Sequence, residues 1–335
     1  MKIALPKFLA FAVLMVGFSC LAIAQQEAQF TQYMFNRLSY NPAYAGSNGS
    51  ICATALYRSQ WMGLKLDAPA EGISAGKVPT DYLFSVDMPV KFLHGGIGLT
   101  VAGEDIGYRN TIGVNLDYAF RIYWGQGTLA AAIEANLFNG KIDFAQLRGA
   151  DDDFSSAGSS DPLLPSQQQE SDMLFDLSTG LYYNVPGAYY LGFSLKNVLG
   201  THSDNLQYSN VRTLYLMGGF DYTLPFHPSF KLRPSVLVKT TNFTSWQVDA
   251  SCLLDYQNFF WLGAAYRFND AVSLLGGITW NKLRVGVGYD ITTSKLGAYK
   301  GGRSAGSLEL YLRYCFKVII PQRSVTMYRN TRYLF

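Results

Sequence analysis

The stretch Ile112-Gly113-Val114-Asn115-Leu116-Asp117-Tyr118-Ala119-Phe120-Arg121-Ile122-Tyr123-Trp124 decides the fold. Every second residue is large and apolar (Ile112, Val114, Leu116, Tyr118, Phe120, Ile122, Trp124), while the alternate row reads Gly113, Asn115, Asp117, Ala119, Arg121, Tyr123. A repeat of two places the rows on opposite faces of an extended strand. The same alternation returns with Leu283, Val285, Val287, Tyr289 and Ile291 against Arg284, Gly286, Gly288 and Asp290. It returns again with Leu308, Leu310, Leu312, Tyr314 and Phe316 against Glu309, Arg313 and Lys317. Such runs are longer than the ~5–6 residues of an ordinary soluble strand and match a tilted membrane-spanning one. Because lipid satisfies no backbone polar group, strands of this kind must close into a barrel.

Working outward, the alternation recurs at about 51–62, 81–90, 96–104, 110–124, 127–140, 174–184, 188–199, 211–225, 230–241, 245–256, 259–268, 271–281, 282–293 and 306–317. That is roughly fourteen strands, an even number as bacterial single-chain barrels require. Connections after strands 2, 4, 6, 8, 10 and 12 read as short, and those after 1, 3, 5, 7 and 13 as longer, the longest being 141–173; those after 9 and 11 are short exceptions. Short periplasmic turns and long extracellular loops are the usual asymmetry, which predicts both termini on the periplasmic side.

Composition supports the barrel over a soluble β-sandwich or propeller. Charged residues make up 15% and aromatics 15%, so the second row of each strand is too poor in Lys, Glu and Thr to face bulk water. Apolar rows end in aromatics such as Trp61, Trp124, Phe268 and Trp280, as interfacial girdles demand. Residues 1–24 read as a secretory signal peptide: Lys2 and Lys7, an apolar run from Phe8 to Ala22, and Ala22-Ile23-Ala24 before Gln25. Acylation at Cys20 is the rival reading, opposed by the apolar residues beyond it and by Gly17. Without Lys2 and Lys7 the 27 basic residues fall to 25 against 24 acidic, a balance that carries no nucleic-acid footprint. The remaining cysteines, Cys52, Cys252 and Cys315, lie far apart; they allow one internal disulfide, but read more simply as small residues in strands.

The row assigned to the lumen carries both signs: Asp117, Glu134, Asp176, Asp221, Asp249, Asp255, Asp290 and Glu309 beside Arg58, Arg121, Lys196, Arg233, Lys239, Arg267, Arg284 and Arg313. Balanced charges predict ion pairs crossing a narrow or filled interior rather than an open pore. The natural filling is the segment before the first strand, Gln25 to Asn48, whose Phe30, Tyr33, Phe35, Tyr40 and Tyr44 are foreign to a disordered tail. The chain thus divides into 1–24 signal peptide, 25–50 N-terminal plug or periplasmic segment, 51–317 outer-membrane barrel and 318–335 periplasmic C-terminal tail. Asp151-Asp152-Asp153 reads as a solvated loop rather than a calcium site, since the spacing is not that of an EF-hand. His94, His202 and His227 fall in turns or loops and assemble no Ser/His/acid group, so neither enzyme chemistry nor a cofactor or metal is expected.

Phe30-Thr31-Gln32-Tyr33-Met34-Phe35-Asn36 followed by Tyr40-Asn41-Pro42-Ala43-Tyr44-Ala45-Gly46 resembles the opening of the PorP/SprF family of type IX secretion outer-membrane proteins. Tyr57-Arg58-Ser59-Gln60-Trp61, Ser85-Val86-Asp87-Met88-Pro89 and Gly96-Ile97-Gly98-Leu99 are similar to the family's next elements. The resemblance implies a non-enzymatic part in type IX secretion and, in some members, gliding motility. It implies as partners outer-membrane lipids, periplasmic components of the machine, and a large secreted adhesin recognised through its C-terminal domain. The alternative is a FadL-like channel for hydrophobic compounds, a class that shares fourteen strands, an N-terminal plug and an Asn-Pro-Ala element. Read physically, Asn41-Pro42 disfavours helix at Asn41 and fixes the next φ, Ala43 and Gly46 permit close approach, and Tyr40 and Tyr44 supply rigid contact area. That describes a turn docked on the inner wall. Arg58, Asp87, Asp117 and Arg121 are its candidate lumen partners, and for Arg58 an ordinary wall ion pair is an equal alternative.

Overall fold

The computed structural model describes residues 28–62, 78–107, 109–143, 169–203, 208–293 and 306–317. Fourteen antiparallel strands form a closed ring: β1 Ser50–Ser59, β2 Thr80–Val90, β3 Gly95–Ile106, β4 Arg109–Trp124, β5 Gly127–Asp143, β6 Gln169–Val185, β7 Tyr189–Lys196, β8 Thr213–Phe220, β9 Phe230–Thr241, β10 Ser245–Tyr256, β11 Phe260–Arg267, β12 Ala271–Trp280, β13 Leu283–Thr292 and β14 Ser307–Lys317. Each strand pairs with its sequence neighbours, and β1 pairs with β14 to close the ring. A short ladder, Tyr222–Thr223, extends β8 alongside β9, and His202–Ser203 with Tyr208–Ser209 forms a separate ribbon.

The side-chain distribution is inverted relative to a water-soluble protein. In β4 the row containing Leu116 faces outward, 59% exposed, while Asp117 on the opposite face is 1% exposed. In β14, Leu310, Leu312 and Phe316 face outward and Glu309 and Tyr311 are buried. An apolar exterior around buried charge is stable only in a hydrocarbon solvent. Trp124, Phe268 and Trp280 are exposed at strand ends, where girdle aromatics belong.

The connections differ from the expected pattern in two places. Strands β5 and β6 run on to Asp143 and from Gln169, so the long connection between them is 144–168, not 141–173. The extra pairs, Lys141↔Ser171 through Asp143↔Gln169, are held by the ladder and carry no alternation to mark them in sequence. Strands β3 and β4 pair up to Ile106↔Arg109, with Gly107 at φ +58°, so the connection expected to be longer is short. The strand ends that flank the long connections, 60–79, 144–168, 197–212 and 293–306, all share one end of the barrel. Ala28 also stands at that end, beside Trp61 and Thr292, whereas β14 leaves at the opposite end. The first and last described residues therefore lie at opposite ends; the termini themselves, whose expected periplasmic placement falls on them, the acidic run and Cys20 lie outside the described residues.

A second correction concerns the cysteines. Cys52 and Cys315 face each other in the β1–β14 register and are disulfide-bonded, with Cα atoms 4.1 Å apart. The bond joins the first strand to the last across the seam, while Cys252 is free on the exterior. A third concerns the lumen charges: the ion pairs run along the wall rather than across it. Arg267 meets Asp249 of β10 at 3.2 Å, Arg233 meets Asp255 of β10 at 3.2 Å, and Lys196 reaches Glu134 of β5 at 2.7 Å. Residues 30–46 are largely buried against the inward row of the wall.

Candidate functional site

The N-terminal segment has little regular structure of its own: one turn of helix, α1 Arg37–Tyr40, and a 3-10 turn at Pro42–Tyr44. Its order comes from the wall. At its start, the Glu309 carboxylate accepts two successive backbone N–H groups, Thr31 at 2.6 Å and Gln32 at 2.8 Å. The Thr31 hydroxyl donates to Asp290 at 2.8 Å and accepts from Arg58 Nη1 at 2.6 Å. Arg58 also pairs with Asp290 at 2.7 Å and with Glu309 at 3.3 Å, so one guanidinium and two carboxylates from β1, β13 and β14 form the clamp. All three side chains are at least 95% buried, where charge-assisted bonds are strongest and an unpaired charge most costly.

The Gln32-Tyr33-Met34-Phe35-Asn36 element spreads its side chains to different sectors of the ring. Tyr33 Oη donates to the Ser235 carbonyl at 2.9 Å, on the β9–β10 wall. Phe35 packs on Trp261 of β11 at 4.7 Å between centroids and on Tyr311 of β14 at 5.2 Å. Met34 is buried, Asn36 donates to Ser39 Oγ at 2.7 Å, and the Gln32 side chain is enclosed beside Gly286 of β13. Arg37 lies 3.7 Å above the Tyr190 ring and donates to Tyr182 Oη at 3.1 Å.

Tyr40 through Gly46 fills the other half. Tyr40 Oη accepts the Phe30 N–H at 3.0 Å, and the Tyr40 carbonyl accepts from Ser194 Oγ of β7. Burial raises the Tyr40 and Tyr33 phenols above their ordinary pKa. Asn41 caps the 3-10 turn by accepting the Ala43 N–H at 2.9 Å, and its amide donates to the Leu181 and Phe193 carbonyls at 2.9 and 3.2 Å. It can reach them because Gly180 of β6 has no side chain: a Cβ there would fall 2.3 Å from Asn41 Oδ1. Pro42 occupies the first position of that turn, where no N–H is needed. Ala43 and Ala45 are fully buried, and Tyr44 packs edge-on against Tyr182 at 5.6 Å. Gly46 adopts φ +69° with the Met88 carbonyl oxygen 2.6 Å from where a Cβ would stand, so only glycine fits.

The residues expected to receive the segment divide accordingly. Asp87 accepts the Gly46 N–H at 2.9 Å, and Arg121 Nη2 donates to the Tyr44 carbonyl at 3.2 Å and to that of Ala45. Arg58 meets Thr31, and it is at the same time part of a wall ion pair. Asp117 faces Glu134 across the β4–β5 ladder and touches the segment through no hydrogen bond among the described residues; its neighbour there is Leu38. Sequence reasoning did not single out Glu309 and Asp290 as receptors, nor Gly180, Tyr182 and Tyr190. The signal available was a glycine on the inward row of Thr179-Gly180-Leu181. Among the described residues no cluster of three or more His, Cys, Asp or Glu side chains is arranged to hold a metal.

No curated protein matches the chain. Among solved structures, the CymD monoaromatic hydrocarbon channel is similar at 12% identity, with 86% of this chain and 94% of that one covered and a TM-score of 0.47. A Pseudomonas aeruginosa FadL homologue is similar at 12% identity, with 85% and 94% covered and a TM-score of 0.41. The Acinetobacter baumannii outer membrane protein Omp33 is similar at 8% identity, with 80% and 98% covered and a TM-score of 0.43. Residues 22–314 match the family of type IX secretion system membrane proteins PorP/SprF, and this outer-membrane β-barrel belongs to that family.

Proposed function

We propose that the barrel is a sealed, non-enzymatic component of type IX protein secretion that assists export or surface attachment of one large adhesin through its C-terminal domain. The observation that carries this reading is the burial of residues 30–46 inside the ring, with bonds to both wall halves. A barrel filled in this way acts through its ends rather than through its pore. Four long connections at one end supply the outward docking surface, because a stable interface buries ~1,200–2,000 Å² in total and one short loop cannot offer that. In this orientation the short turns face the periplasm and the secretion components there.

A second reading, a channel for hydrophobic compounds, draws support from an internal cavity of about 140 Å³ flanked by Phe30, Tyr40, Leu83, Ala102 and Phe138. Gene deletion separates the two. Quantitative surface proteomics of the deletion strain should show loss of a particular large surface protein with hydrophobic-compound uptake unchanged. An unchanged surface proteome with impaired uptake would establish the channel instead.

A further inference from the structure

The lumen charges are not matched everywhere. On the adjoining strands β13 and β14, Arg284 and Arg313 stand directly opposite each other on the inward row. Like charges in that position repel across the ladder. Neither guanidinium lies within ion-pair distance of a carboxylate among the described residues. Arg284 donates to Thr279 Oγ1 at 3.1 Å and stands 5.2 Å from the centre of the Phe35 ring. Arg313 donates to Tyr44 Oη at 3.3 Å, and its buried Nε has no hydrogen-bond partner. Both line a pocket of about 200 Å³, together with Arg37 of the N-terminal segment and Arg233 of β9. Arg233 is held by Asp221 at 3.5 Å and Asp255 at 3.2 Å, whereas Arg37 rests on the Tyr182 hydroxyl and the Tyr190 ring. Among the described residues Asp221 is the single carboxylate in the lining. Asp87 stands near Arg313 but outside ion-pair distance, and Arg121 beside it offsets its charge. The pocket keeps an excess of positive charge.

We propose that this pocket is an anion site for a phosphate group, with Arg284 and Arg313 as its principal donors. Two unmatched guanidiniums call for about two negative charges, and a phosphate monoester carries about −1.5 to −2 at pH 7. The planar fork of arginine presents parallel N–H groups to its oxygens. Seated there, the anion removes the repulsion between the opposed residues of β13 and β14. Because Arg37 belongs to the segment and the other three arginines to the wall, it also joins one to the other. The site does not depend on the secretion reading. It lies at the short-turn end, since Arg284 is the second residue of β13, and the exposed Asn48 in its lining gives it access to solvent. Phe220, 53% exposed on the outer face, lines it as well. The phosphate can therefore arrive free from solvent or as a lipid headgroup.

Calorimetric titration of the purified protein in a non-ionic detergent tests this, with inorganic phosphate and, separately, dihexanoyl phosphatidate as probes at constant ionic strength set by sodium chloride. Saturable binding is expected with at least one probe, weakened about tenfold or more in Arg284→Gln and in Arg313→Gln. Arg109→Gln, at the opposite end of the barrel, should bind as the wild type does. Heat-modifiable gel mobility shows which variants are folded. Arg284→Lys keeps the charge and loses the fork, so it should also bind more weakly, and it carries the test if a glutamine variant fails to fold. Binding of inorganic phosphate supports a free anion as the occupant, and binding of phosphatidate alone supports a lipid headgroup. Absence of saturable binding with both probes, or a loss in Arg109→Gln equal to that in the pocket variants, overturns the proposal.

Discussion

Replacing Glu309 by alanine removes the acceptor that holds the start of the segment and leaves the ladder intact, since the backbone of residue 309 still pairs with Arg58 and Gly288. Two buried N–H groups, on Thr31 and Gln32, lose a carboxylate at 2.6 and 2.8 Å. Hydrogen bonds to a charged group contribute about 1.5–3 kcal/mol each, so the seated state loses about 3–6 kcal/mol relative to the released one. Arg58 stays paired with Asp290 at 2.7 Å, which keeps the loss from growing by the cost of an isolated buried charge. The released population should rise roughly a hundredfold to ten-thousandfold. Limited trypsinolysis at Arg37, half-buried in the seated segment, reads that population when opening is fast relative to cleavage. Heat-modifiable gel mobility checks that the barrel itself is folded. Cleavage of Glu309→Ala at the wild-type rate, with the barrel intact, would refute the reasoning.

Gly180→Val should also release the segment, because a side chain there meets Asn41 Oδ1 at 2.3 Å and displaces an amide that makes three bonds; wild-type protection of Arg37 in this variant would contradict the clasp. Cys52→Ser should lower the barrel's thermal unfolding midpoint, with a loss of up to ~5 kcal/mol because the bond spans 263 residues; an unchanged midpoint in oxidised samples would show that the ladder alone holds the seam. Alkaline pH should loosen the segment. Tyr33 and Tyr40 have raised pKa values when seated, so below the ordinary value of 10.0 both states are protonated, and above it only the released state ionises. Stability therefore falls by about 1.4 kcal/mol per pH unit per phenol. Protection of Arg37 that is constant between pH 9 and 11.5 would argue against it.

The barrel was legible in sequence because a hydrocarbon solvent imposes a strict repeat of two wherever a strand crosses it. Where β5 and β6 extend to Asp143 and Gln169 that constraint ends, and the pairs Lys141↔Ser171 and Ile142↔Glu170 carry no alternating signal. The seam disulfide was hidden for a different reason: Cys52 and Cys315 become neighbours only through the β1–β14 register, which no local pattern encodes. The docking motif was readable as a tight turn from Asn41, Pro42 and Gly46. Its receptors were not, because Glu309 lies 278 residues from Thr31 and the inward row holds many carboxylates of equal appearance. The charge balance of that row predicted ion pairs crossing a narrow or filled interior, whereas the pairs found run along the wall.

The central claim is that residues 28–49 seal the barrel, and single-channel recording in planar bilayers tests it most directly. Mature protein should be nearly silent, and a variant lacking 25–48 should carry a steady ohmic current of porin size. Porin-like current from the intact mature protein, or silence from the deletion variant once it is shown to be folded, would contradict the account.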